Sequence, residues 1–312
     1  MSGRITLLGP QRLAPTVGAT LASLEVAPDA PVATVTAGWQ EREGDDQELD
    51  QHLGGRTVNL GLYRHAERVQ ERDRELAGAI HERQRLLRRV QALYRVRLDA
   101  ALAACHELFD VDDEDEPLSR ARVEALETVR ELDRRHFAQV AEVHAAFEAR
   151  WRPGEREPLA HARAAVAAAL RGCAALAVAG GHVAVLLNRL RLFAVDGAAR
   201  EMTVVAWSAG AMAMSEQVVL FHDHPPHGAG HPEAFELGLG LATGVLPFPH
   251  ARHRLRLDDL QRVGIAARRF APAACVPMDE HARLDWSGGR WSPMTGTRRF
   301  ADTGAVIEWV AA

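Results

Sequence analysis

The chain has 312 residues, enough for one large domain or two, and its 47% hydrophobic and 25% charged residues are those of a soluble globular protein. A formal net charge of −5 leaves no basic excess for nucleic acid, and no apolar run reaches the ~18 residues of a membrane span. Three distant cysteines, Cys105, Cys173 and Cys275, without a CxxC, argue against a disulfide framework or thiolate zinc site and suit a reducing cytoplasm.

Residues 4–8 are a short apolar run ending at Gly9-Pro10, which reads as strand then turn. Residues 15–24 have helical potential, with Pro15 suited to a first turn. Residues 31–37 and 56–62 read as further strands. Strands alternating with helical segments imply βαβ units and an α/β fold with a doubly wound, mostly parallel sheet.

The pattern changes at Tyr63. Residues 63–109 hold no proline and one glycine, Gly78. Apolar residues recur at Leu76, Ile80, Leu87, Val90, Tyr94, Leu98, Leu102 and Cys105, which is helical spacing. One unbroken helix here would run roughly 65–70 Å, so it must protrude, bend or break. Residues 110–116 are an acidic turn that lacks the glycine of a calcium loop. A second helical stretch, residues 119–151, carries Leu126, Val129, Leu132, Val140, Val143 and Phe147 on one side. Residues 63–151 therefore read as an inserted long helical hairpin. It separates the first part of the α/β domain, residues 1–62, from the second part, residues 152–312, which carries the nucleophile elbow. The hairpin's apolar stripes can pack on each other, on the body or on a second subunit, which leaves a homodimer open. Acids interleaved with its arginines speak against nucleic acid as a partner, and the lack of a long apolar run against a membrane.

Beyond the hairpin, residues 160–172 read as an alanine-rich helix, 174–179 as a strand, 183–193 as a helix and 202–206 as a strand. Residues 217–221 are strand-like, 237–246 are glycine-rich, and 273–278 and 305–310 read as late strands.

The string Val204-Val205-Ala206-Trp207-Ser208-Ala209-Gly210-Ala211 carries the chemistry. A β-branched pair runs into a serine flanked by small residues, and a helix-capable stretch follows. This is how a strand–nucleophile–helix elbow reads. Ala206 and Gly210 are small because the turn is tight, and the Ala209 N–H can meet a developing oxyanion. The plain alternative is a small-residue turn with an incidental serine. A serine nucleophile needs a general base, and among fifteen histidines residue chemistry alone does not choose. His222, His224, His227 and His231 share one loop, but no metal-ligand spacing repeats there, and they read as solvated.

From Ala179 onward the chain resembles the dipeptidase E/cyanophycinase family of serine peptidases, which have a class I glutamine amidotransferase-like fold. Three strings carry the resemblance. Gly180-Gly181-His182-Val183, with Leu186, Leu187 and Leu190, is similar to the family's Gly-Gly-Asn/Asp turn and following helix. Trp207-Ser208-Ala209-Gly210-Ala211 is similar to its Ser-Ala-Gly-Ala elbow. Gly238-Leu239-Gly240-Leu241 through Pro249-His250, with Arg252 and Arg254, resembles its Gly-Leu-Gly-Leu…Pro-His…Arg segment. The tail Cys275-Val276-Pro277-Met278-Asp279-Glu280 also looks like the family's strand and turn. The resemblance is weak over residues 1–60, good over 160–290, and does not cover the hairpin.

The resemblance implies Ser208 as nucleophile and His250 as base. The amides of Ala209 and of Gly180 or Gly181 would form the oxyanion hole. Asp223, fifteen residues after the serine, would be the third triad member, with Glu233 and Glu236 as alternatives. His182, Arg252 and Arg254 would contact substrate, an arginine holding a carboxylate bidentately. For the arginines, which alternate with Arg256, the other reading is a charged edge strand. Two departures stand out: His182 replaces the Asn/Asp after the glycine pair, and Ala206 replaces the usual glycine before the elbow.

The expected function is a cytoplasmic serine hydrolase, with no cofactor and no metal, cleaving a small peptide or amide through an acyl-enzyme. Acidic substrates such as aspartyl dipeptides or β-aspartyl-arginine units are what the resemblance implies. Glutamine amidotransfer is disfavoured because its nucleophile is a thiolate. An esterase of the α/β-hydrolase type would not explain the Gly-Gly and Pro-His strings. The rival from another class is a non-catalytic member of the fold that uses the hairpin as a docking or oligomerisation arm.

Overall fold

The computed structural model of the chain describes residues 3–223 and 230–310. In chain order the elements are β1 (Ile5–Leu8), α1 (Val17–Ser23), β2 (Val32–Val35), α2 (Gln47–His52), β3 (Thr57–Asn59), α3 (Leu62–Arg72), α4 (Arg74–Asp110), α5 (Glu116–Trp151) and α6 (Glu157–Arg171). Then come β4 (Ala175–Val178), α7 (Val183–Leu192), α8 (Val195–Ala199), β5 (Thr203–Trp207), α9 (Ala209–Met214), β6 (Gln217–Leu220), β7 (Glu233–Leu237) and β8 (Val245–Pro249). The last are α10 (Ala251–Arg254), α11 (Leu260–Phe270), β9 (Ala274–Met278), β10 (Arg283–Ser287), β11 (Arg290–Pro293), β12 (Arg298–Phe300) and β13 (Val306–Glu308).

The central sheet runs β11-β10-β1-β5-β4-β2-β3. The five strands from β1 to β3 are parallel, and β10 and β11 join antiparallel at one edge. Because side chains alternate along a strand, each strand feeds both faces. Leu7, Val35, Leu176, Val178, Val204 and Ala206 pack with α3, α6, α7 and α9 on one face. Leu8, Val32, Ala175, Ala177, Val205 and Trp207 pack with α1 and α2 on the other. The fold is thus α/β, a mostly parallel sheet covered on both sides. The one buried hydroxyl on β1, Thr6, donates to Asp285 of β10 at 2.6 Å, so it is not left orphaned inside the sheet. In-register pairing of Leu8 with Trp207, and of Val178 with Ala206, brings the C-terminal ends of β1, β5 and β4 level.

Several expectations shift. The strand read at 56–62 is only Thr57–Asn59, because Leu62 opens α3 and is fully buried in the main core. The continuous helix read over 63–109 breaks at Asp73. That residue has φ −126° and ψ 85°, and its carboxylate accepts the Leu76 N–H at 2.9 Å as the N-cap of α4. Arg156 holds the same carboxylate through Nη2 at 2.7 Å and through Nε. An aspartate that can bond the backbone locally competes with helix continuation, and a fixed cation stabilises that choice. Asp115 caps α5 in the same way, accepting from Leu118 N at 2.8 Å. β7, β8, β10, β11, β12, α2, α8, α10 and α11 were not among the expected elements.

The two long helices, 37 and 36 residues, are each about 55 Å long at 1.5 Å per residue. Their stripes pack on each other and on the body. Tyr94, Leu98, Leu102 and Cys105 meet Val129, Leu132 and Phe137, together with Ala234 of β7 and Ile265 of α11. At the base, Leu76, Ile80 and Phe147 join the main core. Leu87 and Val90, on the expected stripe, are only half-buried. Among the described residues no helix is long and apolar enough to cross a membrane.

Glu43 shows how a loop residue locks this assembly. It is 1% exposed, and its carboxylate accepts from Tyr63 N at 2.7 Å and Arg64 N at 3.0 Å, capping α3 from a distant loop. A hydrogen bond to a charged group contributes about 1.5–3 kcal/mol, and the cost of burying the Glu43 carboxylate offsets part of the two made here. Glu43→Ala is therefore expected to destabilise the fold by about 2–3 kcal/mol. Urea unfolding at constant m checks this; an unchanged midpoint would mean that water replaces the cap.

Candidate active site

Ser208 sits immediately after β5, between the strand and α9. Its backbone is φ 52°, ψ −122°, a conformation that L-residues rarely adopt. Holding a non-glycine residue there costs on the order of 1–3 kcal/mol, and such outliers concentrate at functional positions. The surroundings enforce it. Ser208 N reaches Leu8 O of β1 at 3.4 Å, while Ser208 O accepts from Met212 N at 3.1 Å. The turn tolerates only small neighbours: a Cβ on Gly210 would stand 2.3 Å from Val178 O. A Cβ on Gly180 would stand 2.8 Å from Ser208 Cβ and 3.5 Å from Ala209 N. The loop after β4 is itself tied to the loop after β2, with His182 N donating to Gly38 O at 2.8 Å.

A cavity of about 710 Å³ opens at this end of the sheet. Ser208, Ala209, Gly180, Gly181, His250 and Arg254 all line it. Trp207, Met212, Leu220 and Phe221 supply apolar wall. His250 follows β8 in the left-handed region, φ 57° and ψ 36°, and its N–H donates to Met278 O of β9 at 3.1 Å. Burial pushes the imidazole below its ordinary value, and the Arg254 charge adds to this, while the Asp279 carboxylate and then Glu280 act in the opposite sense. The ring is thereby kept neutral over a wider range of pH.

The other expected residues stand elsewhere. Asp223 is buried, and its carboxylate is taken by Arg262 Nη2 at 2.7 Å and Arg256 N at 3.2 Å, not by His250. Glu233 binds Gln91 and Arg95, and Glu236 binds His144 and Arg191, both away from the cavity wall. His182 is not on that wall; its Nδ1 accepts from Val185 N at 3.4 Å as the N-cap of α7. Arg252 turns to Asp279, Nε to Oδ2 3.6 Å. Unforeseen from the sequence are Arg12, Trp39, Arg42, Asp45, Glu48 and His52, which also line the cavity. The signal for them was topological. The loops after β1 and β2 leave the same sheet edge as the loop after β5.

Among the described residues no group of three His, Cys, Asp or Glu is placed to hold a metal ion. His224 and His227 lie outside the described residues. His231 stacks on His106 at 5.0 Å, and burial with the charge of Arg262 holds its pKa down to about 4. None of the three thiols lines the cavity, and burial pushes Cys275 up to about 12.

No family model matches the chain, and no curated protein matches it. Among solved structures it is similar to a peptidase from an acI-B1 Actinobacterium, at 14% identity and a TM-score of 0.47, over 100% of this chain and 95% of that one. It is also similar to a candidate peptidase E protein from Listeria monocytogenes EGD-e, at 18% identity and a TM-score of 0.28, over 40% of this chain and 61% of that one.

Proposed function

We propose that this chain is a serine-type peptidase or amidase that cleaves small peptides through an acyl-enzyme on Ser208. One observation carries the reading: a serine held at φ 52° on a strand end, lining one cavity with a depressed-pKa histidine and the Gly180-Gly181 turn. Ser208 Oγ attacks the carbonyl carbon and His250 accepts the hydroxyl proton. The oxyanion meets the N–H of Ala209 and of Gly180 or Gly181. His250 then gives the proton to the leaving amine, and water resolves the ester by the same steps reversed. The carboxylates that favour the imidazolium are Asp279 and then Glu280.

The same reading takes the fold as class I glutamine amidotransferase-like, with residues 63–151 as an insertion. In support, the elements between β3 and β4 are all helices, so that stretch adds no strand to the sheet. Arg254 suits a substrate carboxylate because it lines the cavity and makes no ion pair among the described residues. Arg252 does not, since Asp279 occupies it.

Two results follow. First, kcat/KM rises with pH along an acid limb whose midpoint lies below ~6.5, because only neutral His250 is a base. Arg254→Gln removes a charge that opposes the imidazolium, so this midpoint moves up; a pH–rate profile reads both shifts. Second, mass-spectrometric turnover of a dipeptide library with α-aspartyl, β-aspartyl and arginine-containing members identifies substrates. Cleavage concentrated on carboxylate-bearing members supports the assignment of Arg254. Turnover of none of the members, at any pH between 5 and 9, speaks against peptidase function.

A further inference from the structure

We propose that Asp223 and Arg262 form a buried clip that fixes the turn carrying His250, which makes Asp223 a positioning residue. The proposal rests on the reading of His250 as the base. The Asp223 and Arg262 side chains are 4% and 13% exposed and meet at 2.7 Å. Asp223 N donates to Arg254 O at 2.7 Å, and Arg256 N donates to Asp223 Oδ2 at 3.2 Å. Arg254 N in turn donates to His250 O at 3.1 Å. One aspartate therefore holds both sides of the last turn of α10, whose first flanking residue is His250.

Arg262 lies on α11, outside the cavity wall, and also donates to Gly230 O. It joins the chain on either side of residues 224–229, at Asp223 and Gly230, to α11. Phe221, two residues before Asp223, is on the cavity wall, as is Arg254. The clip thus sets the relative place of three wall residues, His250, Arg254 and Phe221, without entering the site. Among the described contacts the Asp223 oxygens accept from Arg262 and the Arg256 amide, and none comes from the His250 ring.

The test compares wild type, Asp223→Asn, Arg262→Met and the double variant, with each rate divided by the number of Ser208 sites titrated by a fluorophosphonate. Removing Arg262 alone strands a buried carboxylate, so the uncharged double variant keeps the test alive if that single variant does not fold. The expected result is a roughly 10–100-fold lower kcat per titrated site in all three variants, with KM within about twofold. The acid-limb midpoint stays that of wild type, and amide exchange at Arg254 and Arg256 is at least about tenfold faster in the double variant. A purely structural role would lower the number of titrated sites and leave kcat per site unchanged.

Loss of ~10⁴ in Asp223→Asn, with the acid limb moved down, would make Asp223 the carboxylate on the imidazole and overturn the proposal. Unchanged kcat per site with unchanged exchange would overturn it as well. Should wild type show no Ser208-dependent rate, the peptidase reading fails by itself, and the exchange rates still decide the clip.

Discussion

Ser208→Ala is expected to lower kcat by roughly 10⁴–10⁶-fold for any peptide that the wild type cleaves, with little change in substrate affinity. The serine supplies one atom to the reaction, and the alanine retains the Cβ that packs beside Gly180. The cavity, His250 and Arg254 remain, so ground-state binding survives while covalent catalysis is lost. Stability should move by less than about 1 kcal/mol, because Ser208 makes no side-chain cap on α9. Kinetics with an equilibrium binding titration separate the two effects. A variant with wild-type kcat would place the nucleophile elsewhere.

Asp133→Ala is expected to be the most damaging change in the body of the molecule, at about 3–5 kcal/mol. Asp133 joins α5 to Arg269 of α11, Nε to Oδ2 2.7 Å and Nη2 to Oδ1 2.8 Å, and it accepts from Tyr94 OH of α4 at 2.6 Å. Arg269 also donates to Pro232 O at 2.6 Å, and Tyr94 OH accepts from Ala234 N at 3.2 Å. Four segments therefore meet at one guanidinium whose side chain is 1% exposed. Removing the carboxylate leaves that cation buried without its counter-charge. Replacing both partners, Asp133→Leu with Arg269→Met, should cost less than Asp133→Ala alone, because no charge is stranded. Chemical unfolding of the single and double variants checks the order. A double variant less stable than the single would show that the remaining bonds of Arg269 to Pro232 O and Tyr94 OH outweigh the cost of leaving its charge unpaired.

The parallel strands and the two long helices were legible because both periodicities are written plainly in apolar residues. The tight turn at Ser208 was legible for a different reason: its small residues are dictated by backbone approach within a few positions, as the closeness of Gly210 to Val178 O shows. What escaped depends on distant partners. The helix break at Asp73 is fixed by Arg156, 83 residues away in the chain. Helix α11 carries a glycine at Gly264 and a fully buried arginine at Arg269, which mask its apolar face until Asp133 is in view. The resemblance pointed to Asp223, but it carries no sign of Arg262, 39 residues on. The wall residues Trp39, Arg42, Asp45 and Glu48 have no motif of their own, and sheet order alone brings their loop to the cavity.

The most direct test of the account is the intact mass of the protein after exposure to a fluorophosphonate, followed by peptide mapping. The expected result is one phosphonyl group per chain, on Ser208. Labelling should slow greatly in His250→Ala and disappear in Ser208→Ala. An unmodified Ser208 in protein that still hydrolyses peptides, or a label on another residue that abolishes turnover, would contradict it.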